Sequence, residues 1–173
     1  MFWHRNIALA AVAALSISSS ALADEFGRTA TPEEIKLLDI DVRPDGKGLP
    51  EGSGTVAQGK SVYADNCAAC HGVNGQGGIK DRLVGGQGTL ASDMPIKTVG
   101  SFWPYATTLF DYIRRAMPLN ESKSLTNDEV YGAVAYLLNL NGVIAEGETM
   151  NAQTLPRVAM PNREGFVKFQ RGQ

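Results

Sequence analysis

The sequence predicts an all-α fold, and three observations carry that expectation. Two segments, "WPYATTLFDYIRRAMP" and "SLTNDEVYGAVAYLLNLNG", repeat apolar residues at the 3–4 spacing that places them along one side of a helix. The second opens on a capping pair, with Thr126 at the N-cap and Glu129 positioned to close a capping box. No convincing strand is visible, since no apolar–polar alternation runs long enough. The chain has 173 residues, enough for one domain with extensions. Hydrophobic content is 43% and charged content 20%, which excludes a disordered chain. Formal net charge is −2, with no basic block for nucleic acid and no acidic tail.

From the N-terminus, "MFWHRN" carries Arg5 and is followed by "IALAAVAALSISSSALA". A charged start, an apolar run and a small-residue end at Ala21-Leu22-Ala23 read as a secretory signal peptide over 1–23, cut before Asp24. A membrane anchor is the competing reading. The run is broken by four serines, whereas a span needs about 20 apolar residues. The mature chain is therefore expected to be exported to the periplasm, with no membrane span. Cleavage also removes His4, which leaves His71 as the one histidine of the mature chain.

Residues 24–54 read as an N-terminal extension. "TPEEIKLL" predicts a short helix with Thr31 as N-cap and Pro32 at the first helical position. "RPDGKGLPEGSG" is dense in glycine and proline and predicts loop. The core domain is expected over 55–142. It begins with a helix in "VAQGKSVYADN", whose Val56, Gly59, Lys60 and Tyr63 share a face. Gly59 lacks a Cβ and would let another helix approach closely.

"CAACHG" follows. It holds both cysteines of the chain, Cys67 and Cys70, with His71 directly after them. Closely spaced cysteines serve a redox pair, a zinc site or covalent haem attachment. A structural zinc wants four ligands, and the motif supplies three with no second knuckle. A thioredoxin-like pair wants a hydrophobic strand just before it, and the preceding segment is polar and helical in pattern. C-x-x-C-H is the mark of a c-type haem, in which two thiols take the vinyl groups along one porphyrin edge and the histidine ligates the iron. One covalent haem c is the expectation. Export agrees with it, and thioether bonds protect thiols that an oxidising compartment would otherwise threaten.

The glycine-rich stretch "GVNGQGGIKDRLVGGQGTLASDMP" predicts an irregular loop round the haem edge. A phosphate-binding loop is excluded by the missing Gly-Lys-Ser/Thr ending. In the next helix Pro104 suits the first turn. Tyr105 or Ala106, Leu109, Phe110 and Ile113 keep helical spacing, and Pro118 stops the helix. In the last helix Val130, Ala133, Val134, Leu137 and Leu138 form the stripe, and Gly142 ends it. Residues 143–173 read as a mostly irregular C-terminal extension broken by Pro156 and Pro161.

The other face of the iron needs a ligand. Electron-carrying cytochromes fill it with methionine, which is soft and raises the potential. Met117 is best placed, at a helix end pinned by Pro118. Met94 is the alternative, also followed by proline but within the glycine-rich region. Met150 and Met160 read as core gap-fillers. Trp103 and Tyr105 are candidates to donate hydrogen bonds to haem propionates, or are plain core aromatics. Arg114, with Arg115, would pair with a propionate or dock an acidic partner, or simply form a solvated helix end.

The order helix, C-x-x-C-H, loop, helix ending in Met-Pro and capped final helix resembles class I cytochromes c over 55–142. The resemblance implies the class I cytochrome c fold, with the two extensions wrapping a haem core. It implies His71 as proximal and Met117 as distal ligand, and crossed first and last helices with Gly59 facing Tyr136. A closer resemblance rests on "RTATPEEIKLLDIDVRPDGKGLPEGSG", "IKTVGSFWPYATTLFDYIRRAMP" and "MPNREGF". These are similar to the cytochrome partners of bacterial sulfite and sulfane dehydrogenases, which take electrons from a molybdenum enzyme. The sulfane cytochromes carry two haems, and one motif is present here, which favours a single-haem acceptor of a sulfite dehydrogenase.

The function implied is one-electron transfer without catalysis. The chain would accept electrons from a molybdenum sulfite dehydrogenase and pass them to a downstream cytochrome or terminal oxidase. A fixed cytochrome subunit of another periplasmic dehydrogenase is the alternative. A haem enzyme or gas sensor would need a labile distal methionine, and the mature chain offers no distal histidine for peroxidase chemistry.

Overall fold

Helix α1 (Pro32–Leu38) starts where Thr31 and Glu34 close a capping box, with Pro32 in the first turn. The computed structural model describes residues 27–167, so the leader and its cleavage point lie outside the described residues. Of these, residues 27–40 fall in one compact unit and residues 41–167 in another.

The second unit contains β1 (Ser53–Thr55), α2 (Val56–Asn66), α3 (Ala68–His71), α4 (Ala106–Ala116), α5 (Asn127–Leu140) and β2 (Thr149–Asn151), then a 3-10 turn at Leu155–Arg157. Each helix boundary has a local cause. Thr55 caps α2 through a box with Gln58, and Thr126 caps α5 through a box with Glu129. Gly142, at φ +68°, takes the left-handed conformation that follows the end of α5. Pro104 lies ahead of the α4 N-cap, Tyr105, rather than in the first turn. On α2, Val56, Gly59 and Tyr63 are buried, but Lys60 is exposed and leaves the expected face.

Helix α5 is the centre of the unit. Every residue from Val130 to Leu138 is buried, so the expected stripe widens to the whole circumference. On one side Phe110 stacks on Tyr131 with centroids 4.4 Å apart, and on another Tyr63 meets Tyr136 at 5.3 Å. Where α2 crosses, a Cβ on Gly59 would lie 1.7 Å from the carbonyl oxygen of Gly132 and 2.9 Å from Cβ of Tyr136. The two backbones meet because neither glycine has a side chain to hold them apart.

The helical fold carries one small sheet that the sequence did not show. β1 and β2 pair antiparallel, with Gly54 opposite Met150. Three residues each are too short to show alternation in sequence. Gly54 again lies on the α5 backbone, 2.0 Å from the Gly132 nitrogen if a Cβ is added.

Segment 41–54 is irregular, as its glycines and prolines predict, yet it is tied down as a strap. Val42 N–H donates to Asp111 Oδ1 at 2.9 Å, Thr107 Oγ1 donates to the Pro44 carbonyl at 3.2 Å, and Tyr131 OH donates to the Pro50 carbonyl at 2.9 Å. The C-terminal segment also enters the core through Met150, Leu155, Val158 and Met160. Among the described residues no helix is long and apolar enough to cross a membrane.

Candidate functional site

A cavity of about 430 Å³ lies between α3, α4, α5 and the long loop before α4. Cys67, Cys70 and His71 line it from α3, and Met117 lines it from the end of α4. Its walls are largely apolar, with Leu83, Val99, Trp103, Leu109, Ile113, Pro118 and Leu137 among them. The exposed cations Lys80, Arg82 and Lys97 also line it.

Helix α3 is a single turn following directly on α2, and its short span presents the motif. Cys67 sits at the junction, and its carbonyl accepts both Cys70 N–H and His71 N–H. Tyr63 OH donates to the Gly72 carbonyl at 2.8 Å, which ties the end of the turn back to α2. His71 Nδ1 lies 2.7 Å from the Asp81 carbonyl oxygen. A carbonyl can only accept, so Nδ1 carries the proton and the lone pair is left on Nε2. The glycine-rich loop makes this possible by curling back under the motif, with Gly77 N–H on the His71 carbonyl and Lys80 N–H on the Cys70 carbonyl. Asn141, buried at the end of α5, holds the same loop: its side chain bonds Gly85 N–H and the Leu83 carbonyl.

Burial pushes the Cys67 thiol up to about 11, with a smaller push from Cys70. The site therefore favours a neutral sulfur at Cys67 over a thiolate. Two thiols, an imidazole and a methionine on one apolar cavity are the donor set of a haem, and the residues present fit that group. Among the described residues no cluster of three or more His, Cys, Asp or Glu side chains offers an ordinary metal site.

The remaining sequence candidates separate. Trp103 lines the cavity and meets Tyr112 edge-on at 5.7 Å. Tyr105 does not line it; its ring lies 4.4 Å beneath the guanidinium of Arg163. Arg114 is not at the cavity either, and its charge acts on Tyr131. Arg114 lies on α4 beside the cavity-lining Ile113, and successive helical residues point about 100° apart; Tyr105 precedes the helix in extended backbone. Met94 is 83% exposed and away from the cavity, while Met150 and Met160 are buried in the core.

Sequence reasoning missed several lining residues. Leu109 and Ile113 read as core stripe, and they are both core and cavity wall. Tyr112 and Leu137 gave no signal beyond helical spacing. The Asp81 carbonyl that orients His71 gave none, because backbone acceptors have no sequence signature.

A family model described as cytochrome c oxidase, cbb3-type, subunit III matches residues 54–137. Thiosulfate dehydrogenase from Stutzerimonas stutzeri (strain A1501) is 32% identical over 93 residues, covering 51% of this chain and 28% of that protein. The thiosulfate dehydrogenase of Psychrobacter arcticus (strain DSM 17307 / VKM B-2377 / 273-4) is 26% identical over 107 residues, 60% of this chain and 32% of the relative. The chain thus spans less than a third of the length of these curated relatives. Among solved structures, a chain of the sulfane dehydrogenase SoxCD from Paracoccus pantotrophus matches with a TM-score of 0.79 and 42% identity, over 86% of this chain and 73% of that one. The fold, the C-x-x-C-H turn facing a methionine and this likeness along most of both chains place the protein in a family: it belongs to the c-type cytochromes of sulfur-compound dehydrogenases.

Proposed function

We propose that the chain is a periplasmic single-haem electron carrier that accepts electrons from a molybdenum dehydrogenase of an inorganic sulfur compound. The observation that carries the reading is one cavity lined by Cys67, Cys70, His71 and Met117. In this reading Cys67 and Cys70 would hold the haem covalently, and His71 and Met117 would ligate its iron. The domain runs over 55–142, with 24–54 and 143–173 as extensions and 1–23 as a removed signal peptide.

Haem supplies reversible one-electron chemistry when bound. The chain's own residues do the rest. The Asp81 carbonyl fixes the tautomer and ring direction of His71. Leu109, Ile113 and Leu137 exclude water from the cavity wall. Cys70 is exposed, so the thiol-bearing edge is where electrons enter and leave. Lys80, Arg82 and Lys97 give the surroundings of the cavity a positive character that suits an acidic partner surface. Ligation by both His71 and Met117 would leave the iron no position for substrate, which argues for a carrier rather than an enzyme. A downstream cytochrome or terminal oxidase would take the electron on.

Sulfite is the substrate class we assign to the donor enzyme, because one C-x-x-C-H motif is present. A sulfane dehydrogenase is the second reading, favoured by the match to SoxCD. The test supplies the haem-loaded protein as sole acceptor to a purified sulfite dehydrogenase and, separately, to a purified sulfane dehydrogenase. Turnover with the sulfite enzyme alone supports the first reading; turnover with the sulfane enzyme alone replaces it by the second. Failure of both as donors rejects the sulfur-dehydrogenase role.

A further inference from the structure

Helix α4 has two opposite sides. Leu109, Tyr112 and Ile113 face the cavity, and Met117 follows, its N–H still bonded to the Ile113 carbonyl at 3.0 Å. On the other side Thr107, Asp111 and Arg115 recur at every fourth position, which sets them in one row. The strap engages each member. Thr107 donates to the Pro44 carbonyl, Asp111 Oδ1 accepts from Val42 N–H, and Arg115 reaches Asp41 Oδ1 at 2.7 Å. The second guanidinium nitrogen of Arg115 pairs with Asp111 Oδ2.

The row is not needed for the helix to pack, since Ala106, Leu109, Phe110 and Ile113 already join the core. Asp111 is only 9% exposed, and a carboxylate so placed is costly unless bonded. Here both of its oxygens are engaged. The row ties this side of the helix to the strap along its length, including the turn that leads into Met117.

We infer that Asp111, bridging Val42 and Arg115, is a positioning residue for Met117: it fixes the last turn of α4 so that the sulfur stays directed at the cavity. The inference rests on the proposed role of Met117 as the sulfur ligand. Arg115 precedes Met117 by two residues, so any rotation of that turn moves both. A sulfur held by the protein need not shift when the iron changes oxidation state.

Cyanide uptake by the ferric, haem-loaded protein reads this directly, because cyanide enters only when the sulfur leaves. Asp111→Ala removes both bonds and is expected to speed uptake about tenfold, the ratio that corresponds to about 1.4 kcal/mol. Asp111→Asn, which keeps an acceptor for Val42 and the shape of the side chain, is expected to speed it less and serves if the alanine variant does not fold. Thr107→Val removes a bond at the opposite end of the helix. It should lower the thermal midpoint without changing uptake. Met117→Ala should bind cyanide without delay. If Met117→Ala is fast while both Asp111 variants match the wild type, the positioning role is overturned and the ligand stands. An equal acceleration by Thr107→Val overturns it too, since the effect is then general loosening. If Met117→Ala matches the wild type, the ligand reading itself falls.

Discussion

His71 shows how a single residue acquires its chemistry from the chain around it. The motif supplies the imidazole, and the fold supplies its direction, through a hydrogen bond to a backbone oxygen ten positions on. The first part was legible in sequence and the second was not. Cys67 and Cys70 were legible for the same reason as His71, since a five-residue pattern is its own context. Replacing both cysteines by alanine is expected to leave haem that acid–acetone extracts, or none; haem that stays attached would refute the thioether assignment. Met117 was chosen over Met94 on its place at a helix end, and the two now differ sharply in position. Met94→Ala should leave the ferric absorption of a sulfur–iron bond unchanged, and Met117→Ala should abolish it and lower the potential. Tyr105 and Arg114 do not line the cavity that Cys67, Cys70, His71 and Met117 share, so adjacency in sequence to a lining residue did not bring them to it.

Among elements, a close helix approach was anticipated from Gly59, and the resemblance to class I cytochromes c named the last helix as its partner. The structure shows Gly59 seated on Gly132, with Gly54 of β1 on the same turn. A methyl group on Gly59 would overlap the Gly132 carbonyl at 1.7 Å, and backbone cannot move aside cheaply. Gly59→Ala is expected to destabilise by roughly 1–3 kcal/mol or more in denaturant unfolding. Gly132→Ala meets its nearest atom at 3.1 Å and gains helix propensity of about 1 kcal/mol, so it should be far milder. Equal losses from the two changes would contradict the geometry. Thr126→Ala removes the α5 cap, and a loss of about 1 kcal/mol is expected in the same measurement. The long helices were readable because their periods and caps are local signals. The sheet was not, because three-residue strands take their pairing from the tertiary fold.

At the scale of the whole molecule, segments read as extensions contribute side chains to the core. The strap from Asp41 and the tail through Met160 enclose α4 and α5 by bonds between residues far apart in sequence, such as Tyr131 to Pro50, and no window of sequence shows these. Burial has a consequence for pH. It pushes the phenols of Tyr63 and Tyr131 up to about 12. An unfolded tyrosine ionises near about 10, so the unfolded chain loses these protons first. The stability tied to them is complete below that pH and is lost as pH rises toward 12, at about 1.4 kcal/mol per pH unit for each group. Tyr131→Phe should flatten the alkaline limb of a stability–pH curve, whatever it does at neutral pH.

If His71 and Met117 both ligate the iron, as proposed, sulfite would find no place to bind it. The ferric, haem-loaded chain is therefore mixed with excess sulfite in a stopped-flow spectrometer, with and without a catalytic amount of a sulfite dehydrogenase. The chain is predicted to stay oxidised with sulfite alone over the time in which the enzyme reduces it fully. Rapid reduction by sulfite in the absence of enzyme would contradict the carrier account and assign the sulfur chemistry to this haem.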